Sequence, residues 1–405
     1  MPFRAARSRQ VKITAVKTFV VFVYRTNFVF VKLETDAGIH GWGEATLEYR
    51  EPTVVAAIHD LESLLVGMDP HNIEEFRFRA YRDAYWRGGP VLMSAISGVE
   101  MALWDIKGKA LGVPVWQLLG GKVRDAVPVY MNGWFSPAKT PEEFAEKALE
   151  LRRLRMPGCK WDPFGKAGLQ ISKRDLDRAI RCVELVSEAA GDEVELYIEA
   201  HGRFDVPTAV RIGKRLEDFD IRWFEEPLPP QNNEGLREVK SRVRVPISAG
   251  ERIYNRYEYR QFFELGCADY IQPDISHAGG LMELRMLGAE AEARHIGFAP
   301  HNPSGPVANA ATLQLAACVP NFVVLEMMMT DVPYRKELCD EQLLLRNGMM
   351  TIPDRPGLGI ELDERELLRH PYRRTELRHY RGDLTNIRPP DAAPYYEIEV
   401  TGDAE

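Results

Sequence analysis

Hydrophobic and polar positions change their rhythm twice along this chain. From Val11 to Val23 and from Phe28 to Glu34 the residues are rich in Val, Ile and Phe, and a third short run, Ile39 to Glu44, ends Gly41-Trp42-Gly43-Glu44. The turn chemistry of Thr35-Asp36-Ala37-Gly38 between the last two predicts an antiparallel meander. Beyond residue 52 the apolar spacing shifts to three and four, which predicts helices over Thr53–Val66, Ile73–Tyr85 and Val91–Leu111, with Gly88-Gly89-Pro90 separating the last two. Strands followed by segregated helices describe an α+β unit.

From about residue 127 short apolar strands alternate with helical segments. Strands are expected at Val127–Asn132, Gly158–Trp161, Glu195–Glu199, Ile221–Glu225, Val245–Ala249, Tyr270–Gln272, Gly297–Ala299 and Phe322–Leu325. Helices are expected between them, among others at Pro141–Arg153, Lys173–Ala190, Pro207–Leu216, Arg256–Leu265, Gly280–Arg294 and Gly305–Cys318. Eight such units argue for a (β/α)8 barrel. An open doubly wound sheet is the alternative, but no Gly-rich phosphate fingerprint opens any of the helices. The fold class is therefore α/β: a modified (β/α)8 barrel, residues 127–350, behind an N-terminal α+β capping domain, residues 1–126. A Pro- and charge-rich segment, 351–405, is expected to return to the cap.

Composition narrows the function. The chain has 405 residues, with 52 Lys+Arg against 60 Asp+Glu and a net charge of −8. An acidic chain without a long basic stripe is not drawn to nucleic acid. No apolar run approaches the roughly 18 residues of a membrane helix. Basic Arg4, Arg7 and Arg9 precede no apolar core, so no secretory signal is expected. Five widely spaced cysteines without a CxxC suggest a reducing compartment, and a cytoplasmic location is expected.

Candidate chemistry lies at the strand ends, where barrels of this kind keep their active sites. Glu199, Glu225 and Glu251 recur every 26 residues, one βα unit apart, each after an apolar run. Three carboxylates on adjacent strand ends repel unless a cation sits among them, and oxygen ligands suit a hard divalent ion, Mg²⁺ above all. A surface salt bridge is the alternative for Glu199 taken alone.

Asp274 and His301 end neighbouring strands. An Asp beside a His fixes its tautomer and raises its basicity, as a general base requires. A satisfied structural histidine is the alternative. His201, two residues past Glu199, points to the same side and can reach the same substrate, or else only supports Glu199. Glu326 ends the eighth strand and could orient a substrate oxygen. Lys160 ends the second and could bind a carboxylate or act as a base, or pair with Asp162. His277, after Asp274, is a weaker candidate for substrate contact.

These residues resemble the enolase superfamily, in its mandelate racemase-like branch of acid sugar dehydratases. The resemblance covers nearly the whole chain. It rests on Gly41-Trp42-Gly43-Glu44, Ala102-Leu103-Trp104-Asp105, Leu118-Leu119-Gly120-Gly121, Glu225-Glu226-Pro227, Asp274 and His301. The run Glu199-Ala200-His201-Gly202-Arg203 looks most like galactonate and gluconate dehydratases. The resemblance implies Mg²⁺ on Glu199, Glu225 and Glu251. It also implies conversion of a sugar acid to a 2-keto-3-deoxy acid, with His301, oriented by Asp274, taking the C2 proton and His201 protonating the departing 3-hydroxyl. A Lys or His base paired with Mg²⁺ is a known trait of this superfamily. Arg252 or Lys160 would hold the substrate carboxylate. Contacts to distal hydroxyls are expected from the Trp86-Arg87 turn and from the loops around Thr26–Asn27 and Glu48–Arg50. Related members usually assemble, so a homo-oligomer acting on a small-molecule sugar acid is expected.

Two departures matter. The first metal ligand, often Asp in the family, is Glu199. Strand two reads Lys160-Trp161-Asp162 and lacks the second lysine of the racemising branch. Dehydration is thereby favoured. A racemase, epimerase or cycloisomerase of a related carboxylate, and an acid-binding barrel that no longer turns over, are the competing readings.

Overall fold

The computed structural model describes residues 11–376 and 385–400, so Arg4, Arg7 and Arg9 lie outside the described residues. The meander forms as an antiparallel sheet of β1 (Ile13–Phe22), β2 (Asn27–Thr35) and β3 (His40–Glu44). Gly38 takes a left-handed φ of 75° in the turn before β3, where a side chain would be strained. The sheet lies on the helix Pro90–Leu111, which is buried along most of its length. That contact explains the two glycines of β3. A Cβ on Gly43 would collide with the carbonyl of Gly98, and one on Gly41 with the carbonyl of Ala102, so strand and helix meet backbone to backbone.

The other expected cap helices form with altered ends. Thr53–Val66 divides at Leu61 into Glu51–Asp60 and Glu62–Leu65. Ile73–Tyr85 is α-helical only over Ile73–Arg77, and Phe78–Arg82 widens into a π turn. Fewer apolar residues remain to be buried past Ala80, and the chain leaves the core there.

Eight parallel barrel strands follow among the described residues: β4 (Ala126–Asn132), β5 (Gly158–Trp161), β6 (Glu195–Glu199), β7 (Ile221–Glu225), β8 (Ile247–Ala249), β9 (Tyr270–Ile271), β10 (Gly297–Phe298) and β11 (Leu325–Met328). β11 pairs with β4, which closes the barrel and excludes the open sheet. The eighth strand begins later than the expected Phe322–Leu325. Phe322 bridges to Phe298, and only from Leu325 does the chain pair with β4. Glu326 therefore lies inside β11 rather than at its end.

The barrel interior is packed, not hollow. Tyr130, Tyr197, Trp223, Ala299 and Val324 form a buried layer of their own, with the Tyr197 and Trp223 rings 4.4 Å apart. Outside the barrel, side chains cap several helices locally. Thr140 and Glu143 form a capping box on Pro141–Arg153, Ser172 caps Lys173–Ala190, and Asn255 caps Arg256–Leu265. The helix Asn233–Arg242, capped by Asn232, is additional to those expected.

Two later helices lack any side-chain cap of their own and receive one from the N-terminal unit. Glu44 accepts hydrogen bonds from the backbone N–H of Gly305 (2.7 Å) and Ala308 (2.9 Å), at the start of Pro306–Ala316. Glu100 accepts from Leu281 (2.8 Å) and Met282 (3.0 Å), at the start of Gly280–Glu292. A carboxylate at a helix N-terminus satisfies free N–H groups and complements the dipole.

The segment after the barrel reaches the cap at several points. Gly357 bridges to Pro114, Pro371 to Val21, and Glu364 pairs with Lys32. Its last described strand, Glu397–Glu399, instead pairs with Leu344–Arg346 beside the barrel. Among the described residues no helix is long and apolar enough to cross a membrane.

Candidate functional site

At the C-terminal ends of β6, β7 and β8 the carboxylate oxygens of Glu199, Glu225 and Glu251 lie within 4.8 Å of one another. Glu199 and Glu225 are buried and Glu251 is partly open to a cavity of about 610 Å³. Burial and the neighbouring Glu225 carboxylate push the Glu199 carboxyl well above the usual range. Burial also works against the charge on Glu225, but Lys160 outweighs it and holds that carboxyl down. A buried all-oxygen donor set whose members repel one another fits a hard divalent cation.

Lys160 is buried beneath this cluster. Its Nζ lies 2.7 Å from Glu225, 3.0 Å from Glu326 and 3.6 Å from Glu199. The alternative pairing with Asp162 does not occur. Asp162 stands beyond the end of β5, where Oδ1 accepts the N–H of Phe164 (2.9 Å), and Oδ2 turns to His201 Nδ1 (2.8 Å) and to the buried Arg203. Burial disfavours the Asp162 charge, but Arg203 and His201 hold its carboxyl below the ordinary aspartate value.

His201 has a left-handed φ of 51°, and its backbone N–H donates to Glu199 at 2.5 Å. A single turn thus ties His201 to the carboxylate two residues before it. Across the mouth, His301 Nδ1 is 2.7 Å from Asp274 Oδ2, and its Nε2 is 3.4 Å from Glu251. Burial lowers the His301 pKa, yet Glu251 and Asp274 prevail and push it up to about 10. Each histidine is therefore oriented by its own aspartate, on the third and seventh strands of the barrel.

The cavity is bounded by Lys160, Glu199, His201, Glu251, Arg252 and His301 on the barrel side and by the cap loop from Thr46 to Arg50 with Arg25 on the other. Of the expected distal contacts, Glu48, Tyr49 and Arg50 line it. Thr26 and Asn27 are instead spent on Glu51, at 3.2 Å each, and their neighbour Arg25 lines the cavity, paired with Glu48 at 2.8 Å. Arg252 pairs with Glu226 and lies 4.0 Å from Glu251.

Three expected substrate contacts do not line the cavity. Trp86 is 83% exposed and packs edge-on against Tyr85, also exposed. Arg87 donates to the carbonyl of Ala84 at 2.9 Å, and from that turn only Pro90 reaches the cavity. Glu326 is fully buried. One oxygen accepts from Asn132 (2.8 Å) and Lys160, and the other from the Asn302 N–H (3.0 Å). These contacts tie it to Lys160 and to the β10–β11 loop. Residues that sequence reasoning passed over include Arg203 as a partner of Asp162, Arg25, Tyr254 and Asn132. A broader signal, an apolar run followed by any polar residue, could have flagged Asn132 at the end of β4.

Comparison with known proteins follows this geometry. Residues 143–366 match the enolase C-terminal domain-like family, and residues 5–120 match the N-terminal domain of the mandelate racemase / muconate lactonizing enzyme family. A structure from Mesorhizobium loti, provisionally described as a dehydratase, is 36% identical, with a TM-score of 0.85 over 89% of this chain and 99% of that one. One from Burkholderia SAR-1, provisionally described as a mandelate racemase/muconate lactonizing enzyme, is 35% identical, with a TM-score of 0.85 over 91% and 95%. A member of the enolase superfamily from Salmonella Typhimurium is 32% identical, with a TM-score of 0.85 over 89% and 98%.

Proposed function

The chain belongs to the enolase superfamily, in its mandelate racemase / muconate lactonizing enzyme family, and from that premise we propose that it is a Mg²⁺-dependent dehydratase of a sugar acid, an aldonate of the galactonate or gluconate kind. The observation that carries this reading is the pair of histidines. His301 with Asp274, and His201 with Asp162, border one cavity from opposite sides of the barrel, with the three glutamates between them. Removal of water needs a base at C2 and an acid at the C3 hydroxyl, each in hydrogen-bond reach of one substrate.

Asp274 fixes the proton of His301 on Nδ1, so Nε2 faces the cavity and takes the C2 proton. A divalent cation among Glu199, Glu225 and Glu251 would take up the Glu251 charge that otherwise holds a proton on His301, and would neutralise the negative charge growing at the substrate carboxylate. The C2–H electrons first move onto the carboxylate, giving an enediolate, and then form the C2–C3 double bond as the C3–O bond breaks. His201, oriented by Asp162, gives its proton to the departing hydroxyl, which leaves as water. The enol then becomes a 2-keto-3-deoxy acid. Arg252, on the cavity wall, would bind the substrate carboxylate. Lys160 has its ammonium spent on three carboxylates, so it serves as their counter-charge, and a second base for racemisation is missing there.

The test is incubation of the pure protein with Mg²⁺ and a panel of aldonates and aldarates, with an assay for 2-keto-3-deoxy acids. The expected result is product from an aldonate, lost in His301→Asn. Inversion at C2 without loss of water overturns dehydration in favour of racemisation. Silence on the panel, with no C2 exchange in D₂O, favours the lapsed acid-binding barrel.

A further inference from the structure

His277 lines the cavity but has no part in the reaction above. Its ring bridges two distant parts of the chain. Nε2 lies 3.7 Å from Asp274 Oδ2, the same oxygen that His301 Nδ1 approaches at 2.7 Å. Nδ1 lies 3.1 Å from the hydroxyl of Ser94, a fully buried residue of the cap helix Pro90–Leu111. Asp274 Oδ1 is taken by the Ser276 N–H at 2.6 Å. A hydroxyl can donate to a bare Nδ1, which leaves the N–H on Nε2 facing the carboxylate. In that tautomer both edges of the His277 ring meet a partner of the right sign.

Burial pushes the Asp274 carboxyl up, but His277 and His301 outweigh it and hold it below the usual aspartate value. Ser276 holds one Asp274 oxygen and His301 engages the other, and His277 adds an electrostatic partner at 3.7 Å on the oxygen that orients the base.

We propose that His277 is a positioning residue: anchored by Ser94 of the cap helix, it steadies the Asp274 carboxylate that orients His301, so that docking of the cap completes the base. This rests on the reading of His301 as the base. Through its helix the cap then contributes to the reacting geometry, in addition to any contact its loops make with substrate.

The experiment uses the full chain with His277→Ala, His277→Gln and Ser94→Ala, each checked for folding by circular dichroism and thermal melting. Two readouts are taken. The first is kcat and KM on whichever acid the panel yields. The second needs no substrate: the downfield proton resonance of the His301 Nδ1–H, assigned by its loss in His301→Asn. Removing a group that orients a metal-bound histidine costs about 10–100-fold in activity, and the same order is expected for a group that orients Asp274. His277→Ala is expected to lose that much in kcat with KM nearly unchanged, and to shift or broaden the resonance. Gln can donate to Asp274 and accept from Ser94, so His277→Gln is expected to recover most of both. Ser94→Ala should move both readouts the same way, by less.

A raised KM with unchanged kcat would make His277 a substrate contact and overturn the proposal, as would an unmoved resonance in all three variants. If no acid on the panel turns over, the dehydratase reading fails, and the resonance alone still decides for or against His277. Should His277→Ala not fold, the other two variants carry the same comparison.

Discussion

Glu44 and Gly305 stand 261 positions apart in sequence, yet the Gly305 N–H donates to the Glu44 carboxylate at 2.7 Å. With Ala308 on the other oxygen, this bond joins the cap sheet to the start of a barrel helix. Replacing Glu44 by Ala strands two buried N–H groups. Each buried unsatisfied donor costs about 1–3 kcal/mol, so Glu44→Ala is expected to destabilise by about 3 kcal/mol, measured by urea unfolding.

The same carboxylate predicts a pH dependence. Burial outweighs its hydrogen-bond donors and pushes Glu44 up to about 7, and Glu100, which caps the neighbouring helix, likewise up to about 7. The folded state therefore binds these protons more tightly than the unfolded chain. Their contribution to stability is full below the ordinary glutamate pKa and is lost as pH rises through 7. The melting temperature is expected to fall between pH 6 and pH 8. Glu44→Gln and Glu100→Gln, neutral at every pH, should show a flatter slope. An identical slope in the variants would assign the pH effect elsewhere.

Among the described residues, Lys160 is the one positive charge in contact with Glu225 and Glu326 together, and all three are buried. Removing one partner of a buried ion pair leaves an uncompensated charge, at a cost of about 3–5 kcal/mol. Lys160→Met is expected to destabilise by that order in equilibrium denaturation. A neutral result would mean that the carboxylates take up protons or relax into solvent at little cost.

The two histidines are expected to separate under mutation. His301→Asn should abolish C2 hydrogen exchange and dehydration together. His201→Asn should retain exchange in D₂O while losing 2-keto-3-deoxy acid formation, because the C2 proton is taken from the other side. Loss of exchange in both variants would argue against separate acid and base roles.

Cation binding to the native state alone raises its stability. A ligand at about 100 times its Kd adds about 2.7 kcal/mol. Mg²⁺ is expected to raise the melting temperature of the native chain and to leave that of Glu225→Gln much less changed. An equal rise in both would move the cation away from the three glutamates.

Much of this architecture was legible because it repeats. The 26-residue recurrence of Glu199, Glu225 and Glu251 is one βα unit, and a barrel must bring such positions side by side. The Asp274–His301 pair was legible for the same reason. What failed depends on geometry between elements. Phe322 to Met328 is almost wholly apolar, so nothing in its pattern says where it leaves β10 for β4, and Glu326 was placed at a strand end it does not occupy. Lys160 and Asp162 share a parity that suggests a common partner, but Asp162 has already left the strand. Trp86 and Arg87 follow the π turn at Phe78–Arg82, after which the phase of the helix no longer predicts direction. Periodicity reports on regular elements, and these residues lie where regularity ends.

The aromatic layer of Tyr130, Tyr197 and Trp223 has a consequence for traffic. It fills the barrel beneath the carboxylates, so nothing passes through the barrel axis. On the dehydratase reading, substrate, keto acid and the expelled water would pass between the barrel rim and the cap loop that carries Tyr49. Each turnover would then be a round trip past the residues that meet the incoming acid, and a tighter grip on it would also slow release of what it becomes.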